Sequence, residues 1–349
     1  MSIQTGVAAL TPQLAVRTTE PYAELKRRVQ GAGLLDKRPG YYALMLVTNS
    51  LAFVTVLGLL AIVESVWATV LVAALLGFMS GQLGFQLHDS GHRQMFANRR
   101  LNAAIGIVTG NGLLGMSYGW WVDKHNRHHG NPNHQDLDPD IDVGVIAYSQ
   151  EQAMAKTGLA RWIVSHQASL FFPLLFGLAW TMHYASVRFL VQTRERLRWV
   201  EVGALCVHAL GFAVLLIALV GPWSALLVFV IQRCVGGFYL ASVFAPNHKG
   251  MPQVESGEEL DFLRSQVLTS RNVKSHPVTD LLYGSLNYQI EHHLFPTMPR
   301  CNIRLAHKIV RDYCAEVGVP YHETTIYRSY HEILSFLHEV GIPLRQAPA

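Results

Sequence analysis

Five runs of about twenty residues with almost no charge constrain this chain more than any other feature: Tyr41 to Val63, Val66 to Leu87, Trp162 to His183, Trp199 to Val220 and Trp223 to Phe244. A helix of that length spans the roughly 30 Å hydrocarbon core of a bilayer, whereas the buried helices of soluble proteins seldom go so far without a charge. Composition agrees, since 50% of the 349 residues are hydrophobic and only 15% are charged. That balance is too apolar for an ordinary soluble protein.

The basic residues sort the ends of these runs. Lys26, Arg27, Arg28, Lys37 and Arg38 precede the first run and Arg93, Arg99 and Arg100 follow the second, while the turn at Glu64 and Ser65 between them has none. Cations collect on the cytoplasmic side of a membrane protein, so the first two runs read as a tight hairpin with both open ends in the cytoplasm. The third run contains His166, Gln167, Pro173 and His183 and has arginines on both sides, Arg161 before it and Arg188, Arg194, Arg196 and Arg198 after it. It is expected to lie in the interface or to re-enter. The last two runs turn at Gly221 and Pro222 as a second hairpin. Residues 101–119 hold Gly106, Gly110, Gly112, Gly115 and Gly119, which suits close packing in the interface better than spanning.

The expected fold is therefore all-α and integral to the membrane, multi-pass, with four transmembrane helices in two hairpins. From Pro246 onward the chain turns polar, with helices expected over Asn302 to Val317 and Ser329 to Val340, and reads as a cytoplasmic helical cap. Residues 1–40 read as a cytoplasmic leader without a cleavable signal, because Glu20, Glu24, Lys26, Arg27 and Arg28 come before any apolar run. A net charge of +4, spread between apolar runs, argues against a nucleic-acid partner. Cys206, Cys234, Cys301 and Cys314 include no C-x-x-C pair and suggest neither disulfides nor zinc.

Histidine is where chemistry concentrates. His88-Asp89-Ser90-Gly91-His92 follows the second run, and its i, i+4 spacing puts two imidazoles on one helix face. His125-Asn126-Arg127-His128-His129 repeats the device with three rings, and Gln289-Ile290-Glu291-His292-His293 has the same frame with glutamine in front. Gln289 would hydrogen-bond a water or line the pocket. His248 follows the last run directly and would lie at the membrane face beside the three clusters. His134, His166, His183, His208, His276, His307, His322, His331 and His338 stand alone, and a lone histidine is more often a structural or surface residue than a ligand.

Imidazole suits iron, copper, nickel and zinc, so ligand number is the better guide. Seven or eight histidines exceed what one tetrahedral zinc takes and match two metals of higher coordination number, which favours a binuclear iron centre. The E-x-x-H pairs of carboxylate-rich di-iron bundles are missing. Asp89, Asp136, Asp138, Asp140 and Glu291 flank the clusters. They either orient the ligating rings, Asp89 and Glu291 foremost, or serve as plain solvated or capping acids.

HDSGH, HNRHHGNPNHQDLDPD and QIEHHLFPTMPR together resemble the three histidine boxes of the membrane fatty acid desaturases, in order and in placement against the hydrophobic hairpins. The likeness covers roughly residues 41–300, which would form a membrane desaturase domain followed by a helical C-terminal region over 301–349. The glutamine-headed third box is similar to the front-end and acyl-lipid branch. The resemblance implies that His88, His92, His125, His128, His129, His292 and His293 ligate two irons, with His248 matching an extra histidine placed after the last hairpin.

It implies an enzyme that takes O2 and two electrons and leaves a cis double bond in a long acyl chain, carried on lipid or CoA. An unactivated C–H has no pKa within reach of any side chain, so the metal must carry that chemistry. Tyr118, Trp120, Trp121, Phe85, Phe238 and Tyr239 lie near the motifs and either line an acyl tunnel or anchor the interface. No His-Pro-Gly-Gly haem motif is present, so the expected donor is a separate ferredoxin or cytochrome b5 with its reductase. Lys124, Arg127, Lys249, Arg264, Arg271 and Lys274 are expected to steer it. The competing readings are a di-iron hydroxylase or ketolase on the same scaffold, a zinc membrane hydrolase with Glu291 as base, and a metal-binding membrane protein.

Overall fold

A computed structural model of the chain describes residues 20–141 and 144–346. Helix α1 (Glu20–Gly31) is followed by α2 (Pro39–Leu59), which starts on a proline whose missing N–H costs nothing there. Ser65 caps the 26-residue α3 (Val66–Gly91) by accepting from the Ala68 amide at 3.1 Å. Then come α4 (Arg99–Ile107), a π-helix (Val108–Leu114), α5 (Tyr118–Gly130), α6 (Gln150–Met154), α7 (Gly158–Ser165), α8 (Gln167–Leu175) and α9 (Leu178–Gln192). Two long helices, α10 (Arg198–Val220) and α11 (Pro222–His248), lead into α12 (Phe262–Leu268), α13 (Pro277–Leu282), α14 (Gln289–Leu294), α15 (Arg300–Glu316) and α16 (Ile326–Gln346). The only strands among the described residues, β1 (Asn272–Val273) and β2 (Glu323–Thr324), pair in parallel.

Four helices, α2, α3, α10 and α11, are long and apolar enough to cross a membrane. The third apolar run is not one straight helix: α8 and α9 meet at an angle of 70°, with Pro173 inside α8 and Gly177 at the start of α9. Helices α3 and α11 pack closely along their length, where Gly77 and Gly236 remove the side chains that would keep them apart. A Cβ on Gly77 would stand 2.9 Å from the Gln232 carbonyl, and one on Gly236 would stand 3.2 Å from the Gly77 carbonyl. Trp67 and Trp223, in the first turns of α3 and α11, are each 83% exposed, the placement of interfacial anchors.

The Gly-rich stretch packs tightly. The π-helix ends at Gly115, whose φ of +70° suits glycine. Three side chains from α9, α10 and α11 gather on its last carbonyls: Arg233 donates to Leu114 O at 2.7 Å, His183 lies 2.9 Å from the same oxygen, and His208 Nδ1 is 2.9 Å from Gly112 O. Just beyond, the Glu201 carboxylate accepts from the Ser117 hydroxyl at 2.6 Å, the Gly119 amide at 3.1 Å and the Asn111 amide at 3.1 Å. A cation thus meets the negative end of one helix and an anion the positive end of the next, fixing the start of α5.

The C-terminal region and α1 form a separate hydrophobic core in which Leu25 and Val29 of α1 pack with Leu263, Ile290, Leu294, Ile303 and Val310. Helix α15 begins two residues before the expected Asn302. Helix α16 outruns its expected span at both ends, passing Pro343, and packs Ile333 and Leu337 with Phe171 and Leu175 of α8.

Candidate metal centre

Each cluster of histidines sits at a helix end. Helix α3 continues four residues past the apolar run so that His88 lies within it and His92 caps it. Helix α5 is started by Ser117, whose hydroxyl accepts from the Trp120 amide at 3.0 Å, and it carries His125, His128 and His129 in its last turns. His248 ends α11, and the six-residue α14 holds Gln289, His292 and His293.

All eight histidines converge, and six of them are buried, with His125 and His129 half-buried. Their ring nitrogens fall into two groups. His88, His92, His125 and His292 form one, and His128, His248 and His293 form the other, with every ligand atom in each group within 4.8 Å of its fellows. His129 Nε2 lies 3.1 Å from both His125 Nε2 and His292 Nε2, and its ring stacks on His293 at 4.1 Å, so it stands between the groups. Neighbouring residues on a helix point about 100° apart. That is why His293 and His292 serve different groups, whereas His128 and His125 share a face and are separated along the helix axis by their three-residue spacing.

The outer nitrogens are held. His88 Nδ1 lies 3.0 Å from Asp89 Oδ1, His248 Nδ1 is 3.0 Å from Thr269 O, and His293 Nδ1 is 2.8 Å from Gln266 Oε1. His128 Nδ1 lies 3.0 Å from Asp138, which in turn accepts from the Asn133 amide at 2.7 Å. Burial alone would raise the Asp138 carboxyl, but His128 and Lys249 outweigh it and hold the pKa below the usual value.

Burial, and then the neighbouring imidazoles, push His92, His125, His129, His292 and His293 well below the ordinary histidine pKa, so these rings are neutral. His88 Nε2 and His292 Nε2 face each other at 3.1 Å, and with at most one proton between them at least one of the two nitrogens offers a lone pair. His92 Nε2, His129 Nδ1 and His293 Nε2 are buried with no hydrogen-bond partner. Buried, neutral, convergent donors with lone pairs to spare fit metal cations.

Comparison with known proteins decides the family. Residues 65–325 match the fatty acid desaturase family. The chain belongs to that family. It is 33% identical to an acyl-lipid (9-3)-desaturase of Physcomitrium patens over 86% of this chain and 59% of the relative. It is 31% identical to a Delta(8)-fatty-acid desaturase of Euglena gracilis over 89% of this chain and 77% of the relative. A Delta(6)-fatty-acid desaturase of Caenorhabditis elegans is 29% identical over 87% and 71%. These relatives agree with the branch that the glutamine-headed third box resembles, and they class the chain among the oxidoreductases that desaturate fatty acyl groups. Four apolar helices and this membership make it a membrane protein.

Around the histidines of this desaturase the other singled-out residues separate. Gln289 Nε2 lies 2.9 Å from His248 Nε2, and Asn247 donates to its Oε1 at 2.9 Å. Asp89 reaches a ring, whereas Glu291 accepts from Asn272 at 2.8 Å and Tyr321 at 2.6 Å and braces α14 against β1. Trp121 packs on His88, His92 and His125, 4.4 Å from the last. Phe85 lies under the Arg300 guanidinium, Phe238 stacks on Phe176, Trp120 is in the helix core, and Tyr239 accepts from Gln82 at 2.8 Å.

Gln266, Thr269 and Arg300 also hold the centre. Arg300 closes the last box string and ion-pairs Asp89 at 2.7 Å. For Gln266 no local pattern marks the role.

Proposed function

We propose that this desaturase holds two iron ions, one among His88, His92, His125 and His292 and the other among His128, His248 and His293, with His129 between them and Gln289 beside the second. The observation that carries this reading is that seven of the eight convergent imidazoles divide into two groups made of histidine alone, with His129 between them and Asp138 and Asp140 beside His128. Iron so held supplies, with O2 and two electrons, the power to break unactivated C–H bonds. One CH2–CH2 unit, O2, two electrons and two protons become a cis CH=CH unit and two waters.

The protein's part is orientation. Asp89, Asp138, Thr269 and Gln266 hold the Nδ1 atoms outward so that the Nε2 atoms face inward. Trp121 offers a flat apolar wall beside three of the rings, against which a long acyl chain would lie. In this reading α2–α3 and α10–α11 cross the membrane as two hairpins, α8–α9 re-enters, and the centre and its helical cap lie at the cytoplasmic face. The substrate is a long acyl chain on lipid or CoA, in line with relatives named as fatty acid and acyl-lipid desaturases. Electrons come from a separate ferredoxin or cytochrome b5 type carrier with its reductase.

The test is metal analysis of the detergent-purified protein, then incubation with O2, a reduced carrier and a saturated acyl donor, with products read by mass spectrometry. Two irons and a loss of two hydrogens are expected. Two irons with one oxygen gained would mean a hydroxylase, and stoichiometric zinc without O2 uptake would sink the oxygenase reading.

A further inference from the structure

The cations expected to steer an electron carrier are largely spoken for. Lys124 pairs with Asp140, Arg127 with Asp123, Arg264 with Asp261, and the buried Arg271 with Glu332. Unrelieved positive charge collects elsewhere. Lys37 and Arg38 precede α2, and Arg93, Arg99 and Arg100 link α3 to α4. The Lys37 ammonium donates to Arg93 O at 2.7 Å and Thr297 O at 2.9 Å, which brings the two links together.

Arg38, Arg93, Arg99 and Arg100 are exposed, and among the described residues none of the five has a carboxylate at ion-pair distance. Arg38 caps α2 and Arg99 and Arg100 occupy the first turn of α4, neither of which has an acid in its first turn. Cations at that end add to the positive pole of a helix instead of offsetting it. The surface therefore presents a strong positive potential, which speeds and orients the approach of an acidic partner.

Its position gives the potential a use. Thr297, on which Lys37 rests, lies just ahead of Arg300, whose side chain is 9% exposed and ion-pairs Asp89 Oδ2 at 2.7 Å. The other Asp89 oxygen is 3.0 Å from His88 Nδ1. Three polar contacts and the short backbone stretch from Thr297 to Arg300 thus join this surface to a histidine of the centre. Arg194 and Arg196, between α9 and α10, are equally exposed, but no contact among the described residues links them to a histidine of the centre.

We propose that the surface formed by Lys37, Arg38, Arg93, Arg99 and Arg100 is the docking site for a separate acidic one-electron carrier protein, with Arg300 and Asp89 as the contact into the centre. The proposal rests on the desaturase reading, because a reaction that consumes electrons from another protein needs such a site.

The test is a binding titration of the iron-loaded, detergent-solubilised chain with two probes, plant-type [2Fe–2S] ferredoxin and soluble cytochrome b5, across salt concentrations. At least one probe should bind, with affinity falling steeply as salt rises. Replacing Arg38→Glu, Arg99→Glu and Arg100→Glu together should weaken binding by about tenfold or more at low salt. Iron content and the rate of reduction by dithionite should stay as they were. Arg194→Glu with Arg196→Glu should change binding by less than about threefold.

Should the triple variant not fold, Arg99→Gln with Arg100→Gln carries the same test with a smaller loss. Failure of both probes to bind at low salt overturns the proposal, as does an equal loss in the two sets of variants. So does a triple variant that keeps carrier binding but loses affinity for acyl-CoA or phosphatidylglycerol vesicles, which would make this a phosphate-binding surface. None of these readouts requires product formation, and failure of the desaturase reading would show separately in metal content and products.

Discussion

The Asp138 carboxylate lies 3.0 Å from His128 Nδ1 with both of its oxygens, and it also accepts from the amides of Asn133 at 2.7 Å and Asp140 at 2.8 Å. One buried acid thereby orients an imidazole and is itself held by the loop that follows α5. Asp138→Asn keeps the shape but turns one oxygen into a donor. Metal affinity of the group around His128 should fall about 10- to 100-fold. Metal analysis after dialysis against a weak chelator should then find one metal retained where the parent keeps two.

Gln289 stands where the second box has a histidine, and its amide meets His248 and Asn247. Gln289→Leu should leave the metal count at two, since all eight imidazoles remain, while unsatisfied buried partners cost about 1–3 kcal/mol of stability. Thermal unfolding with metal analysis checks both parts. Loss of one metal would instead identify Gln289 as a ligand.

Acid should destabilise the metal-free protein. His92, His125, His129, His292 and His293 are held neutral by burial, their folded pKa values below the unfolded one of about 6.5. Once the pH drops under about 6.5 the unfolded chain binds protons that the folded chain refuses, so stability falls from there downward and is nearly flat above. Unfolding midpoints of the chelated protein between pH 5 and 8 should show this slope, and metal release should steepen over the same range. A flat profile would mean that these rings are more accessible than their burial indicates.

Gly91 touches Trp121 so closely that an added Cβ would sit 2.2 Å from the indole. Gly91→Ala should cost about 1–3 kcal/mol by displacing Trp121, and with it the wall against His88, His92 and His125. Indole fluorescence and the unfolding midpoint should both change.

Much of this was legible in the residues. The uncharged runs became α2, α3, α10 and α11 within a few positions, because run length alone decides such helices. The three histidine strings came together because each ends or fills a short helix at one end of the bundle. Pro173 was visible too, but neither the 70° angle between α8 and α9 nor the packing of α16 against α8, a contact between residues far apart in the chain, could be read from it. Equally hidden was the assignment of His292 and His293 to different groups, which rests on how α14 is docked. Gln266 and the Thr269 carbonyl carry no local signature, and charge pairing such as Arg271 with Glu332 at 2.6 Å appears only once the chain has folded.

The six-residue helix α14 places His292 in one group of donors and His293 in the other. Ile290 and Leu294 are fully buried, and Glu291 is held by Asn272 and Tyr321, so the surrounding core orders this short helix before any ion arrives. Neither loading event then has to meet the cost of folding the segment for the other. Titration with Fe(II) should pass through a half-loaded protein. Replacing His293 should empty its own group and change the affinity of the other by less than about threefold.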